Sequence, residues 1–582
     1  MNSIKKIFKQ VFLVVLGIFT SLVLFVGMFL LLLQPSKPEI TDKAVLHITL
    51  RGRVVERTPD TLTQSFQKGK EKMIALITLK EAIKRAQTDK NIRGIYLEAD
   101  SFRTGWANLE EIRNMLLAFQ KAGKFIVAYG EHYTQKAYYL ASLADDIVLH
   151  PAGLFHFKGL SQTFFFYKEL FDKLKITPQV FRVGQYKSAV EPFTRQDMSQ
   201  ASKRQNSALL NTIHDHFLDT ITTTRGLKKA SIQTLLDNLS AVLPHDACSA
   251  KLVSQVGSFD ELEALIRSKL SLAKEASINY VSLEQYASLQ EKPQPYEDKV
   301  AVLIAEGTIV EGTGTPGTIG SKELTSSLRA IRKDKSIKAV VLRINSPGGS
   351  ALASDVLWKE LVLTKSKKPI VASMSDVAAS GGYYLAAACN KIIAHSTTIT
   401  GSIGIFGLFF DIHALLSHEL GITTDVVKTG KSADWFENLG RPFHNHERAV
   451  IQKIIDQGYS IFLDRVAEGR NINRKVVESV AEGRVWAGQL AQEKGLVDEL
   501  GSLDTAVQEA AKLSGIAGEY TISYWPKAKT LYNVIIDDLQ NYVSNDVTAR
   551  ALKEKFPVLQ HMQKLIDMQG VQARLPYTME IE

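Results

Sequence analysis

Apolar positions along the chain fall into three patterns. The first is an unbroken run. Val11 to Leu33 is 23 residues without a charge. As a helix it spans roughly 35 Å, enough to cross a bilayer core of about 30 Å. The second is a set of short apolar runs of strand character: Ala44–Leu50, Gly94–Leu97, Phe125–Tyr129, Val300–Ala305, Ala339–Ile344 and Ile370–Met374. The third has helical spacing, over Leu79–Gln87, over Glu323–Lys333, and again at Val356, Leu357 and Leu361. Strands alternating with helices predict βαβ units with right-handed crossovers, an α/β fold.

The pattern is written twice. Asp89-Lys90-Asn91-Ile92-Arg93-Gly94-Ile95-Tyr96-Leu97 echoes Asp334-Lys335-Ser336-Ile337-Lys338-Ala339-Val340-Val341-Leu342, at an offset of 334 − 89 = 245. Tyr138-Tyr139-Leu140-Ala141 echoes Tyr383-Tyr384-Leu385-Ala386 at the same offset, and Gly159 and Gly404 keep it. Leu252-Val253 and Leu496-Val497 follow at 244. A register held this long indicates an internal duplication. The expected organisation is a terminal segment 1–10, a membrane anchor 11–33, a first half 40–289, a linker 290–298 containing Pro293 and Pro295, a second half 299–525, and a helical extension 526–582 that matches neither repeat.

The halves differ at two loops. In the second, Ser380 stands between a predicted strand and helix, followed by Gly381 and Gly382. A hydroxyl there can point out of the fold, beside the free N–H groups of a helix start where an oxyanion can develop. An ordinary N-capping serine is the alternative. Ser346-Pro347-Gly348-Gly349 also follows a strand, and its N–H groups can serve an oxyanion hole, a bound phosphate or a simple tight turn. The first half has Gln135 and Lys136 at the positions of Ser380 and Gly381, and its Asp100–Gly105 loop lacks the Gly-Gly pair. A nucleophilic serine needs a base. The second half offers His395, His413, His418, His444 and His446; a buried lysine is the other choice, with Lys187 in Tyr186-Lys187-Ser188-Ala189-Val190-Glu191-Pro192-Phe193 and Lys431 in Gly430-Lys431-Ser432-Ala433 as candidates.

Charge changes the picture little. The 582 residues are 45% apolar and 23% charged, with a net charge of +9. The basic residues are scattered, and no zinc, phosphate-loop or RNA-binding motif accompanies them, so anionic lipid is the expected partner and nucleic acid is not. Cys248 and Cys389 lie in apolar contexts and read as buried free thiols. Lys5, Lys6 and Lys9 precede the apolar run, which puts the amino terminus in the cytoplasm. Gln34-Pro35-Ser36-Lys37-Pro38 follows with no clear cleavage site, so the anchor is expected to stay and everything from about residue 39 to lie across the membrane.

Taken together, Ser-Pro-Gly-Gly at 346–349, Ala-Ala-Ser-Gly-Gly-Tyr-Tyr at 378–384, Thr-Gly-Ser-Ile-Gly at 400–404 and Tyr-Lys-Ser-Ala-Val-Glu-Pro-Phe at 186–193 closely resemble the motifs of the signal peptide peptidase A, or protease IV, family in its long form. The resemblance implies two tandem domains like those of the Clp protease and crotonase superfamily, preceded by one transmembrane helix. It implies Ser380 as nucleophile, Lys187 as general base, Ser402 as the residue that orients the lysine, and the N–H groups of Gly349 and Gly381 as the oxyanion hole. No metal or cofactor is implied. The implied substrates are cleaved signal peptides, apolar and extended, met by a membrane-tethered homotetramer of the bacterial inner membrane with periplasmic catalytic domains. Lys431 matches the lysine of short, single-copy members and is the competing base. Two rival readings are a crotonase-type acyl-CoA enzyme and a non-catalytic scaffold in membrane protein quality control.

Overall fold

The computed structural model describes residues 42–58, 72–289, 296–435, 441–516, 518–527 and 570–575, together with Gly17, Thr20, Ser21, Met28, Ile40 and Ile581. The apolar run 11–33, apart from those four helical positions, lies outside the described residues. Among the described residues no helix is long and apolar enough to cross a membrane. Most of the expected linker, residues 290–295, also lies outside them.

Ala339–Ile344 carries apolar side chains on both faces except at Arg343, which suits a strand covered on both sides. It forms the middle of Ile337–Ser346, at the centre of an eight-stranded sheet. Its parallel neighbours are Lys299–Glu306 and Ile370–Ala379, the latter flanked by Lys391–Ala394 and Ile399–Gly401. The first half builds the same core in a seven-stranded sheet, with Ala44–Val55, Ile92–Arg103, Phe125–Tyr133 and Asp146–Phe155 running parallel in that order. Gly94 pairs with Phe125 in one sheet and Val340 with Ile370 in the other, so the two sheets repeat the same pairing to within one residue.

The duplication extends to side chains. Tyr138 Oη donates to the Leu252 carbonyl at 2.8 Å, and Tyr383 Oη to the Leu496 carbonyl at 2.9 Å. Each ties its short helix to a distant turn. Lys124 and Lys368 likewise donate to paired carbonyls, of Ala86 and Asp89 and of Ile331 and Asp334.

Most predicted elements are longer than their apolar runs. The strand expected at Ile370–Met374 reaches Ala379, and the following helix spans Gly381–Ala387. The sharp turn between them falls on Ser380 itself, and Gly381 and Gly382 are already in the helix. In the C-terminal extension, where helix was expected, Gly570–Arg574 is a strand, and residues 528–569 lie outside the described residues. Cys389 is buried, as expected; Cys248 is only partly so.

A third sheet of six strands stitches the halves together in the order Thr318–Gly320, Thr308–Val310, Gly348–Ser350, Gly570–Arg574, Phe406–Asp411, Thr177–Arg182. The first half supplies Thr177–Arg182, which pairs antiparallel with Phe406–Asp411 over its whole length. Elsewhere the halves meet through apolar packing, with Ala379, Ile399, Val485 and Ala487 joining the first half's core, and through charge. Arg343 Nε lies 2.9 Å from Glu56 Oε2 with both side chains fully buried, and Arg343 Nη1 lies 3.6 Å from Glu111. Asp376, on the strand leading to Ser380, accepts from the Gly105 and Asn108 N–H groups at 2.9 and 2.8 Å. A side chain on Gly105 would begin 2.3 Å from the Asp376 carboxyl carbon, so only glycine admits this contact.

Candidate active site

The strand Ile370–Ala379 ends against the helix Gly381–Ala387 with one residue between them. Ser380 makes the change of direction alone, at φ 55° and ψ −114°. Such a backbone is strained for a residue with a side chain. It is held by the Ser380 N–H donating to the Gly401 carbonyl at 2.8 Å and the Tyr384 N–H donating to the Ser380 carbonyl at 2.8 Å. Although Ser380 occupies the N-cap position, its hydroxyl makes no capping hydrogen bond to the helix. The ordinary capping role is therefore not the one it plays. Its Oγ meets the Lys187 amine instead, with Nζ at 2.9 Å.

Lys187 reaches that point from the first half of the same chain. The strand Thr177–Arg182 delivers the segment, and Gly184, at φ 87°, passes so close to Glu482 that a side chain would begin 2.5 Å from its backbone. The Tyr186 N–H then donates to the Glu482 carbonyl at 3.1 Å. From the helix Gln200–Arg225, Gln205 clasps the loop by donating to the Tyr186 carbonyl and the Ser188 hydroxyl. The amine also donates to Ser402 Oγ at 3.0 Å and to the Ser402 carbonyl at 3.1 Å. Ser402, at φ 52°, is fixed by its own N–H on the Arg484 carbonyl at 2.7 Å.

Lys187 is 1% exposed, and Ser380 and Ser402 are 0% exposed. Burial alone holds the Lys187 amine down at about 7, far below the ordinary 10.5. An ammonium ion removed from water loses hydration that three neutral oxygens replace only in part. The site thus contains a serine hydroxyl, an amine that is largely neutral once the pH exceeds about 7, and a second hydroxyl that fixes the amine.

The glycines of the 346–349 loop close the other side. Gly348 lies at φ 95°, and a side chain there would begin 2.6 Å from the Gly381 nitrogen. Gly349 pairs with Ile309 on one side and Ala573 on the other. A side chain on Gly349 would begin 1.9 Å from the Ile309 carbonyl oxygen. The Gly348 and Gly349 backbones therefore pass so close to Gly381 and Ile309 that neither position has room for a side chain.

Other candidates fall elsewhere. Lys431 is exposed, and its carbonyl accepts from Lys428. His413, His418 and His446 lie at or near the surface, away from Ser380, and His444 caps the helix Asn445–Arg470. His395 is buried, but its Nε2 lies 2.6 Å from Glu111. Burial pushes this imidazole down, yet hydrogen bonds to Glu110 and Glu111 outweigh it and hold it up at about 9. In the first half, Gln135 turns inward and its side-chain oxygen accepts from the Lys158 and Gly159 N–H groups. Among the described residues no group of three or more His, Cys, Asp or Glu side chains is placed to hold a metal ion. Sequence reasoning singled out the loop of Gly348 but not its close approach to Gly381, and it missed Gly483 and the strand Gly570–Arg574. A side chain on Gly483 would begin 2.6 Å from Lys187 Cβ. The positive φ of these glycines follows from contacts distant in sequence, which no local spacing reveals.

The chain matches the model of "Peptidase family S49" twice, over residues 118–273 and 363–517. It is 34% identical to "Protease 4" of Salmonella typhi, covering 89% of this chain and 86% of that protein. It is 33% identical to "Serine protease SPPA, chloroplastic" of Arabidopsis thaliana, covering 85% of this chain and 72% of that one. Among solved structures it is similar to that of a ClpP1 mutant from Listeria monocytogenes, over 35% of this chain and 94% of that one, at 13% identity and a TM-score of 0.24. With the duplicated halves matched in turn and the likeness to the two proteases running through most of the chain, the protein belongs to peptidase family S49 and is a serine protease.

Proposed function

We propose that the protein is a membrane-anchored endopeptidase that degrades cleaved signal peptides through a Ser380–Lys187 dyad. The single observation that carries this reading is the 2.9 Å contact between a buried amine and the hydroxyl of Ser380. The neutral Lys187 amine takes the Ser380 proton as Oγ attacks the peptide carbonyl. The N–H groups of Gly349 and Gly381 hold the oxyanion. Protonated Lys187 then gives its proton to the leaving amine, and the same amine activates the water that hydrolyses the acyl-enzyme. Ser402 orients the lysine throughout.

The run 11–33 supports anchoring in the bacterial inner membrane with the catalytic halves on the periplasmic side. Peptides released into that membrane are apolar and extended, and they enter as an added strand. A homotetramer of Clp- and crotonase-like domains that shields its sites would spare folded proteins. The test is hydrolysis of an apolar fluorogenic peptide by detergent-solubilised protein beside Ser380→Ala and Lys187→Ala. Both variants are expected to fall to background with assembly intact. Wild-type turnover by Ser380→Ala would place the nucleophile elsewhere, activity in Lys187→Ala would place the base elsewhere, and no turnover by wild type would return the chain to the scaffold reading.

A further inference from the structure

Ser402, which fixes the Lys187 amine, ends a run of the second half that the first half grips by its side chains. His395, Ser396 and Thr397 all reach two adjacent carboxylates on the first-half helix Trp106–Lys121. His395 Nε2 lies 2.6 Å from Glu111 Oε2, and its Nδ1 lies 3.7 Å from Glu110 Oε1. The Ser396 and Thr397 hydroxyls donate to Glu110 Oε2 at 2.8 and 3.1 Å. From there the run leads straight into the active site. The His395 N–H donates to Thr398 Oγ1 at 3.0 Å, and that hydroxyl donates to the Ser375 carbonyl at 2.9 Å. The strand Ile399–Gly401 pairs with Val377–Ala379, and the Gly401 carbonyl takes the Ser380 N–H. The first half thus supplies both the lysine and the anchorage of the serine that orients it.

Charge decides how firmly that anchorage holds. His395 and Glu111 are buried. Burial would drive the imidazole to its neutral form, but Glu110 and Glu111 hold it charged up to about 9. Burial would likewise raise Glu110, yet His395, His216 and the Ser396 hydroxyl outweigh it and hold it at about 2. His216, on the helix Gln200–Arg225, meets Ser396 Oγ at 3.2 Å through Nδ1 and Tyr139 Oη at 2.9 Å through Nε2. Burial pushes this second imidazole down, so it does not take over the charge. Behind Glu111 stand Arg343 at 3.6 Å and Lys80 at 3.8 Å, the lysine shared with Asp504 at 2.9 Å. When His395 loses its proton, Glu111 keeps these cations. Among the described residues the ion-pair partners of Glu110 are His395 and His216, so Glu110 is then left with neutral donors.

We infer that His395 is a positioning residue for the peptidase reaction: clamped by Glu110 and Glu111, it seats the strand Ile399–Gly401 so that Ser402 meets the Lys187 amine. The inference rests on the Ser380–Lys187 reading for what Ser402 does, but not for what seats it. His395 acts through the strand rather than on the reacting atoms. Its pH dependence is opposite to that of the lysine. A histidine raised from 6.5 to about 9 on folding contributes stability that is fully present below 6.5 and is lost as pH rises through about 9. The activity plateau therefore runs from about 7, where Lys187 becomes neutral, to about 9, where the clamp releases.

Two measurements on the full-length chain in detergent test this. In the first, pH–rate profiles of wild type and His395→Gln are compared on an apolar fluorogenic peptide. The wild-type rate should fall again above about pH 9. The variant cannot carry the charge. At pH 8 it should lose about tenfold in kcat with KM little changed, the cost of a fraction of an ångström at a reacting group. It should also lack the alkaline limb. A wild-type rate that stays flat to pH 10, or a variant with the wild-type kcat or the same limb, overturns the inference. In the second, hydrogen exchange is followed at pH 8 in Ser380→Ala protein with and without His395→Gln. The amides of 399–402 should exchange about tenfold faster with the substitution, while those of Lys391–Ala394 in the same sheet keep their protection. Unchanged protection at 399–402, or a loss shared by both strands, overturns the positioning role. Exchange needs no turnover, so it separates failure of the inference from failure of the dyad reading. The wild-type profile needs no variant, so it can refute the inference even where His395→Gln does not fold.

Discussion

An amine buried beside two hydroxyls, and held at about 7 by that burial alone, has consequences in both activity and stability. Only the neutral amine accepts the Ser380 proton, and its fraction rises with pH through about 7. Peptidase activity should therefore fall about tenfold per pH unit below that point and level off above it, as a pH–rate profile will show. Stability moves by a related rule. The unfolded lysine titrates at its ordinary 10.5, so between about 7 and 10.5 the unfolded chain binds the proton that the native site lacks, and stability rises with pH. Lys187→Met removes the buried amine. At pH 7 it should gain up to about 4 kcal/mol, less the hydrogen bonds lost at Ser380 and Ser402. The gain should shrink to nothing near pH 10.5, and denaturant melts at pH 7 and pH 10 will read it.

At the scale of elements, what matters is how backbone delivers these groups. Gly483 sits at φ 77°, and a side chain on it would begin 2.6 to 2.8 Å from Lys187 Cβ, Cα and N. Gly483→Ala must push the lysine segment aside, and a shift of about 1 Å at a reacting group costs on the order of a hundredfold in rate. Kinetics should show that loss in kcat with KM little changed, and melting should show about 1 kcal/mol or more from the forced positive φ. None of this was legible in sequence. What was legible were the elements with continuous apolar runs, such as Val300–Ala305, and the offset of 245 that repeats one sheet in the other. Lys187 and Ser380 could be singled out by motif, but their meeting depends on Thr177–Arg182 pairing with Phe406–Asp411. A strand pairing between segments more than 200 residues apart leaves no local pattern to read. Gly570–Arg574 is hidden for the same reason, since five residues of weak alternation acquire strand structure only from the two edges they join.

At the scale of the whole molecule, a dyad drawn from two halves makes catalysis depend on how the halves dock. That docking includes a buried ionic network beside its apolar contacts. Arg343 interrupts a central strand, reaches Glu56 and Glu111 across the interface, and also donates to Ser373 at 3.0 Å. Burial alone would push this guanidinium down, but the two carboxylates outweigh it and raise it above its ordinary value. Glu111 in turn takes His395 at 2.6 Å and Lys80 at 3.8 Å, so its charge is compensated from three sides. A network of this kind is costly to break from one side, because the partners remain buried without compensation. Arg343→Met should lose about 3–5 kcal/mol in denaturant melts, and the peptidase rate should fall with it, although the hydrogen bonds of Arg343 go to Glu56, Ser373 and Asn108 rather than to the dyad. Adding Glu56→Gln to Arg343→Met should restore part of both, since it removes the carboxylate left unpaired. If the double variant regains stability but not activity, the ion pair does more than join the halves: it sets the angle at which the first half presents Lys187 to the serine.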